Sequence, residues 1–517
     1  MIGLAQTPVV RMKGITKRFG HTVANNKVDL DVYEGEILSL LGENGSGKTT
    51  LMNMLSGIYF PDEGQIFVGG NEVTIASPKD AFDLHIGMIH QHFKLVDVFT
   101  AAENISLGLE EGGVFLDKKS VIAKIREICD KYGFDVDPNQ KVYNMSVSQK
   151  QTLEIVKVLY RGADILILDE PTAVLTPQET DKLFAVLRNM KNDGKSVIII
   201  THKLHEVMSV ADRVAVLRKG EFIGDVATSD TNPQELTNMM VGRPVTLNID
   251  RPAPVDPQPR LVVENLNVRD SAGVQILKDV SFTVNSGEIL GIAGISGCGQ
   301  KELLEAIAGL QGAMPGSSIV YLNEDGKRDE LVGQTPRKIR DKGVALSFVP
   351  EDRLGMGLVG DMNIPANMML KSYSEGHGFL ANRKAPKDLA DEVVAQLEVV
   401  TPDIYTPVRK LSGGNVQKIL VGREIAANPS VLMTAYAVRG LDINTSYAIY
   451  DLLNQQKAKG CAVIYVGEDL DVLLELCDRI LVMCAGQVNG ILDGPTATKE
   501  QVGLLMTNLQ KGGADNG

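Results

Sequence analysis

Residues 37–51 read ILSLLGENGSGKTTL, and this stretch decides the fold. Its centre, GENGSGKT at 42–49, follows an apolar run and precedes a helical one, which is the context of a P-loop. Glycines in such a loop let backbone N–H groups curl around phosphates, while Lys48 supplies a positive charge and Thr49 a hydroxyl for Mg²⁺. A Gly-rich turn is the plain alternative, and the flanking strand and helix argue against it. We therefore predict a nucleotide-phosphate loop.

Two acidic residues end a second apolar run. The run ILIL at 165–168 predicts a buried strand that delivers Asp169 and Glu170 at its carboxyl end. Asp169 suits the Mg²⁺ shell, and Glu170 suits a general base that orients an attacking water. Gln91 and His202 are ambiguous when each is taken alone.

The chain repeats itself. KVDLDVYEGEILSLLGENGSGKTTL at 27–51 restarts as DVSFTVNSGEILGIAGISGCGQKEL at 279–303, and later landmarks recur at a similar offset. An internal duplication of about 250 residues explains this pattern. In each half, buried strands alternate with helices, which predicts an α/β fold with parallel strands covered by helices.

A Pro-rich segment separates the two copies. Its prolines block regular helix and central strand and favour an extended linker. We place a first domain at 8–245, the linker at 246–260, a second domain at 261–508 and a fraying tail at 509–517.

Composition narrows the function classes. The formal net charge of −13, without a long Lys/Arg run, argues against nucleic acid as a partner. Five scattered cysteines indicate neither a disulfide framework nor a zinc site, and favour a reducing cytosol. We expect neither a signal peptide nor a transmembrane helix, so any membrane role must come through a partner.

Taken in order, GENGSGKT, HQHF, MSVSQKQ, ILILDEPT and ITH resemble an ATP-binding-cassette nucleotide-binding domain. The second half supplies LSGGN at 411–415, which looks like the signature sequence of that family. The resemblance covers nearly the whole chain and implies ATP hydrolysis with Mg²⁺. It also implies two tandem P-loop NTPase domains, each with a RecA-like α/β core, an antiparallel β subdomain and a helical subdomain.

The resemblance assigns roles to individual residues. Phe19 would stack on adenine, His202 would sense the γ-phosphate, and Gln91 would link the γ-phosphate and Mg²⁺ to a transmembrane partner. Catalysis would rest on Glu170, His202 and Gln91, and the metal on Thr49, Gln91 and Asp169. The nucleotide would be bound by Phe19, Gly42, Asn44, Gly45, Ser46, Gly47, Lys48, Thr49, Thr50, Ser412, Gly413, Gly414 and Asp442.

The second half departs from the first at each position that carries chemistry. The replacements are Gln300 for Lys48, Lys301 for Thr49, Ala435 and Tyr436 for Asp169 and Glu170, Glu468 for His202 and Glu351 for Gln91; no aromatic near Arg269–Asp270 matches Phe19. The first half departs from the family pattern at two places only. In its signature, Ser148 adds a side chain where the second half has a glycine, and Thr176 occupies the position of Asp442 in the second half.

Members of the resembled family close two cassettes head to tail, so that each ATP lies between one P-loop and the other signature. That arrangement would combine the complete P-loop and carboxylates of the first half with the LSGGN signature of the second half in one composite site. The other site would combine the altered motif residues of the second half with the altered signature of the first half. Ser412, Gly413 and Gly414 would then offer a hydroxyl and helix N-terminal donors to the γ-phosphate. We expect one ATP to be hydrolysed per closure.

Short sequence segments, including GMIHQHFKLV and VPEDRLGMGLV, resemble the nucleoside-importing, basic-membrane-protein-dependent branch of this family. A monosaccharide importer is the main alternative. Ala437-Val438 departs from the Pro-Thr usual at that place. The resemblance implies two integral-membrane permease subunits, an extracytoplasmic substrate-binding lipoprotein, and a peripheral position on the cytoplasmic face of the inner membrane. A soluble twin-cassette ATPase acting on the ribosome is a rival of a different class, and a non-hydrolysing scaffold a third.

Overall fold

The computed structural model divides the chain into two compact units, Met1–Thr246 and Leu247–Gly517, here called unit 1 and unit 2. The residues that the structure describes are 7–20, 22–90, 93–108, 118–172, 175–201, 203–242, 249–270, 272–295, 297–348, 357–370, 372–373, 382–426, 429–439, 441–467 and 469–507.

Unit 1 alternates strands and helices. Its strands are β1 Val10–Phe19, β2 Thr22–Val32, β3 Ile37–Leu41, β4 Glu63–Val68, β5 Asn71–Val73, β6 Ile86–Ile89, β7 Ile165–Asp169, β8 Ser196–Thr201, β9 Arg213–Arg218 and β10 Glu221–Ala227. Its helices are α1 Lys48–Leu55, α2 Pro78–Asp83, α3 Ala101–Ser106, α4 Lys118–Tyr132, α5 Val147–Tyr160, α6 Pro177–Asn192, α7 Leu204–Val210 and α8 Pro233–Val241.

A six-stranded sheet in the order β10-β9-β3-β8-β7-β6 forms the core of unit 1. Strands β9, β3, β8, β7 and β6 run parallel, and β10 pairs antiparallel with β9 at the edge. The central strands β3, β7 and β8 are buried along their whole length, because a parallel sheet is covered on both faces. The phosphate loop and the Asp169–Glu170 pair therefore lie at the same, carboxyl edge of this sheet.

Two further layers complete unit 1. An antiparallel sheet, β2-β1-β4-β5, alternates buried and exposed residues along β1, as a half-solvated sheet does. Helices α3, α4 and α5 pack around a separate apolar cluster that includes Ile105, Ile125 and Leu153. Ser146 begins α5 with a capping box, since its side chain accepts from Gln149 N–H and Gln149 bonds back.

Unit 2 repeats this plan. Its strands are β11 Pro259–Arg269, β12 Gln275–Asn285, β13 Ile289–Ala293, β14 Ser318–Leu322, β15 Arg328–Glu330, β16 Val344–Phe348, β17 Val431–Ala435, β18 Ala462–Val466, β19 Arg479–Cys484 and β20 Gln487–Asp493. Its helices are α9 Gln300–Ile307, α10 Pro336–Asp341, α11 Ile364–Met369, α12 Lys384–Gln396, α13 Gly413–Ala426, α14 Ile443–Ala458, α15 Leu470–Leu476 and α16 Lys499–Thr507.

The core sheet of unit 2, β16-β17-β18-β13-β19-β20, has the strand order of unit 1, and β12-β11-β14-β15 repeats the antiparallel sheet. Both units thus have the α/β core, antiparallel sheet and helical layer that the sequence predicted. The predicted fold class is confirmed.

The start of unit 2 lies within the Pro-rich segment and packs onto its own unit. Ile249 is buried in the apolar core, and Arg251 donates to the carbonyls of Leu474 and Cys477 at 2.7 and 2.9 Å. Lys457 donates to the carbonyl of Pro252. Residues 249–252 are therefore anchored by side chains that the linker pattern did not reveal. In the described part of the chain, no helix is long and apolar enough to cross a membrane.

Candidate active site

The phosphate loop of unit 1 requires glycine at its turn into α1. Gly47 has φ of 96°, and a Cβ at this position would lie 2.4 Å from the carbonyl oxygen of Ala24. A side chain is therefore excluded by backbone conformation and by space. The first N–H groups of α1 face the loop, as the N-terminus of a phosphate-binding helix does. The sequence motif folds as predicted.

Lys48 is the first residue of α1, and its side chain reaches back into the middle of this loop. Its ammonium donates to the carbonyl oxygens of Gly42 at 2.7 Å and Glu43 at 2.9 Å, and the residue is 6% exposed. Burial lowers the pKa of Lys48 from its usual value, and nearby carboxylates, Glu170 foremost, oppose this change. A buried ammonium that donates to backbone carbonyls is suited to donate to phosphate oxygens as well, because charge-assisted hydrogen bonds to an anion are stronger than those to a carbonyl.

Thr49 and Asp169 form the candidate Mg²⁺ site. The Thr49 hydroxyl lies 3.4 Å from Asp169 Oδ1, which joins the first turn of α1 to the end of β7. Burial raises the pKa of Asp169 to about 6, opposed by the hydrogen bond from Thr49. Hydroxyl and carboxylate oxygens are the ligands that Mg²⁺ prefers, and few of them are needed when the nucleotide supplies the others. These residues therefore fit a Mg²⁺ ion bound together with phosphates.

Glu170 is held in an unusual backbone conformation. Its φ of 47° is left-handed, and its N–H donates to the carbonyl of Ile200 at 2.9 Å. Such a conformation costs of order 1–3 kcal/mol and persists only when the surroundings enforce it. Here the carboxyl end of β8 enforces it and keeps the Glu170 carboxylate at the phosphate loop. This is the placement expected of a group that orients a water.

These groups line one cleft of about 200 Å³. The lining residues are Asn44, Gly45, Gly47, Lys48, Thr49, Thr50, Asp169, Glu170 and Ile200. Ser46 lies beside the cleft with a buried hydroxyl that has no hydrogen-bond partner in the described part of the chain. The structure thus brings together the predicted P-loop and carboxylate residues of unit 1.

Phe19 ends β1 and is 44% exposed. Tyr59 contacts its ring edge-on at a centroid distance of 5.2 Å, and Lys17 Nζ lies 5.6 Å from its centroid. Phe19 has accessible aromatic surface, as the predicted adenine contact requires. The sequence did not single out Tyr59.

Four predicted residues lie outside the described part of the chain: Gln91, His202, Glu351 and Glu468. Their roles stay predictions.

Sequence reasoning missed a buried polar cluster beside the site. Glu206 accepts hydrogen bonds from the hydroxyls of Thr172 at 2.6 Å and Thr201 at 3.3 Å. Lys203 Nζ lies 3.1 Å from the same carboxylate. The signal available in the sequence was the joint loss of these residues in the second copy.

Unit 2 keeps the scaffold of this site without its chemistry. Gly299 repeats the φ of 96° found at Gly47, and Tyr436 repeats the left-handed φ, with its N–H donating to Val466 at 3.0 Å. The side chain of Gln300 turns back into the loop. Its Nε2 lies 2.6 Å from the point where a Cβ would stand if Gly294 had a side chain. Ala435 is buried and offers no ligand to a metal.

The signature residues of unit 2 stand at the start of α13. Ser412 and Gly413 are exposed, and the Ser412 hydroxyl accepts from the side chain of Asn415 at 2.9 Å. Asp442 caps α14, since its two oxygens accept from the N–H and the hydroxyl of Thr445. In unit 1, Thr176 caps α6, since its hydroxyl accepts from the N–H of Glu179. Asp442 therefore has a local structural role besides any contact with nucleotide.

The fold and the phosphate-loop site together define a P-loop ATPase with two cassettes. Residues 25–173 and 277–434, more than half of the chain, match the family described as ABC transporter. The chain belongs to the ABC transporter family, and the sequence-based assignment to it is confirmed.

Relatives that the chain resembles over nearly its whole length are ATP-binding proteins of import systems. The chain is 44% identical over 508 residues to a nucleoside import ATP-binding protein of Lactococcus lactis subsp. cremoris, covering 97% of this chain and 99% of that protein. A guanosine import ATP-binding protein of Bacillus subtilis is 43% identical, with 98% and 99% covered. A glucose import ATP-binding protein of Haloferax volcanii is 41% identical, with 99% and 97% covered.

Among solved structures, the complex of the archaeal ribosomal stalk protein with the archaeal ribosome recycling factor matches with a TM-score of 0.59. It covers 93% of this chain and 90% of that chain at 16% identity. This likeness shows the fold alone.

Proposed function

We propose that this chain is the ATP-hydrolysing subunit of an importer, that it drives nucleoside uptake across the cytoplasmic membrane, and that it hydrolyses ATP at one site only. The observation that carries the proposal is the difference between the two loops. Lys48, Thr49, Asp169 and Glu170 share one cleft in unit 1, whereas unit 2 keeps the same backbone with Gln300, Ala435 and Tyr436.

Each residue of the cleft has a separate task. Lys48 and the loop N–H groups bind and orient the phosphates, so that little freedom is left to lose in the transition state. Thr49 and Asp169 would hold Mg²⁺, which neutralises charge on the phosphate oxygens when it is bound. Glu170 accepts a proton from the attacking water, and this water attacks in line with the departing group.

The proposed hydrolytic site is composite. Ser412, Gly413 and Gly414 would complete it from unit 2, with Asp442 nearby, while Gln91 and His202 would contribute from unit 1. The exposure of Ser412 and Gly413 at the start of a long helix supports this part, because N-terminal N–H groups and the hydroxyl of an exposed serine attract phosphate.

We propose nucleosides as the substrate, because two of the relatives described above are named for nucleoside or guanosine import. A monosaccharide is the alternative, since another is named for glucose import. We propose two integral-membrane permeases and an extracytoplasmic binding lipoprotein as partners, with the chain peripheral on the cytoplasmic face. In unit 1, Ile58, Phe82, Met88 and His90 line a small cleft, which we propose as a contact for a permease segment; His90 directly precedes Gln91 in the sequence.

Transport in proteoliposomes tests the substrate. The cognate lipoprotein, permeases and this chain are reconstituted with ATP, and uptake of labelled guanosine is compared with that of ribose and glucose. Guanosine uptake that stops with Glu170→Gln supports the proposal. Uptake of a sugar alone would favour the alternative. Salt-sensitive co-sedimentation with ribosomes, without stimulation by permeases, would favour the ribosomal rival.

A further inference from the structure

A buried carboxylate joins the ends of the two strands that carry the proposed catalytic groups. Glu206 is 3% exposed, and it accepts hydroxyl hydrogen bonds from Thr172, two residues after Glu170, and from Thr201, at the end of β8. Thr201 directly precedes His202. One side chain therefore ties the turn after β7 to the turn after β8.

Lys203 completes the cluster. Its Nζ lies 3.1 Å from Glu206 Oε1 and 3.4 Å from the carbonyl oxygen of Thr172, and its N–H donates to Thr201 Oγ1 at 3.1 Å. The buried charge of Glu206 is thereby paired and hydrogen-bonded, as a buried carboxylate must be. Such a fully bonded cluster fixes backbone positions more firmly than apolar packing does.

Unit 2 supplies an internal comparison. At the corresponding positions it has Val438, Gly467, Asp469 and Val472 in place of Thr172, Thr201, Lys203 and Glu206. Val438 and Val472 pack against the apolar core, and Asp469 instead caps α15. The same strand order and the same left-handed turn form without the polar cluster.

The fold therefore does not need these polar residues, and apolar replacements of a buried ion pair are often neutral or stabilising. The cluster is present in the unit that has Glu170 and absent from the unit that has Tyr436. We infer that Glu206, with Thr172, Thr201 and Lys203, is a positioning residue for hydrolysis, which holds the turn that follows Glu170 in register with the end of β8, the strand that directly precedes His202 in the sequence. This inference rests on the proposed roles of Glu170 and His202.

Thr172 gives the sharpest test, because valine has nearly its shape without its hydroxyl and serine keeps the hydroxyl. In the full chain, we expect Thr172→Val and Glu206→Gln to lower kcat about tenfold to a hundredfold, since small misplacements of catalytic groups cost this much. Thr172→Ser should remain within about threefold of wild type. Affinity and stoichiometry for Mg·ADP should not change, because none of the four cluster residues is among the described residues that line the phosphate-loop cleft.

Val472→Ala, at the Glu206 position of unit 2, is the matched control and should leave kcat unchanged. Two results would overturn the inference: a folded Thr172→Val chain with wild-type kcat, or a kcat loss matched by an equal loss of Mg·ADP binding sites. Glu170→Gln is measured in the same assay. If Glu170→Gln stays active, the site assignment itself is wrong; if it is inactive while the Glu206 and Thr172 variants are normal, only the positioning role fails.

Discussion

The N–H of Glu170 donates to the carbonyl oxygen of Ile200 at 2.9 Å, across the carboxyl ends of two neighbouring parallel strands. The same bond joins Tyr436 to Val466 in unit 2. The backbone that presents the proposed general base, Glu170, is therefore retained in both units, while the glutamate itself is present in unit 1 and replaced by Tyr436 in unit 2. The two units therefore share the backbone of this turn and differ in its side chains.

Lys48→Gln copies into unit 1 the residue that unit 2 accommodates at this position. It removes a charged donor to phosphate, and such hydrogen bonds are worth about 1.5–3 kcal/mol. We expect the Kd for Mg·ATP to rise about 10- to 100-fold, measured by titration with a fluorescent ATP analogue.

Gln300→Ala is the control for this change, and it should leave both Kd and kcat unaltered. Equal weakening by the two substitutions would show that unit 2 binds nucleotide as well as unit 1 does.

The raised pKa of Asp169 predicts how Mg²⁺ binding depends on pH. With a pKa of about 6, its carboxylate is charged above that pH and protonated below it, so protons compete with Mg²⁺ as the pH falls. The Mg²⁺-dependent gain in ATP affinity should decline by about tenfold per pH unit below about pH 6. Titrations from about pH 5 to about pH 8 measure it.

Asp169→Asn provides the reference for that experiment, because the nucleotide phosphates titrate identically with either chain. The difference between the two profiles isolates Asp169. Parallel profiles over the whole range would exclude this residue from the Mg²⁺ site.

The signature residues give a matched pair of variants. Ser412 and Ser146 occupy corresponding positions before α13 and α5, and both are exposed. If the hydrolytic site takes its signature from unit 2, Ser412→Arg should lower kcat about a hundredfold by blocking close approach to the γ-phosphate, as loss of one transition-state donor does.

Ser146→Arg should have little effect on kcat. Both changes remove a helix-capping hydroxyl at a similar cost, of about 1 kcal/mol, so the comparison of ATPase rates cancels stability effects. A larger loss from Ser146→Arg would mean that unit 1 supplies its own signature.

Much of the site was predictable because its determinants are local. Glycines at fixed spacing, a lysine at the helix start and acids at a strand end specify the loop and the carboxylates without knowledge of distant contacts. The duplicated order of motifs likewise predicted that the two units repeat one plan of parallel strands covered by helices.

Long-range contacts were not predictable. Glu206 contacts Thr172, which lies 34 positions earlier in the sequence, and the segment THKLHEV around Glu206 is typical of an ordinary helix start. Ile249 and Arg251 lie in the predicted linker, yet Ile249 is buried in the core of unit 2, and the partners of Arg251 lie more than 200 positions further on. Asp442 and Thr176 differ in sequence but share a capping role that only their hydrogen bonds reveal.

The turnover of Glu170→Gln is the most direct test of a single hydrolytic site in unit 1. Glutamine keeps the shape of the side chain and removes the base, so kcat should fall by at least about a hundredfold while Mg·ATP binding persists. Undiminished ATPase activity in a Glu170→Gln chain that still binds Mg·ATP would contradict the assignment.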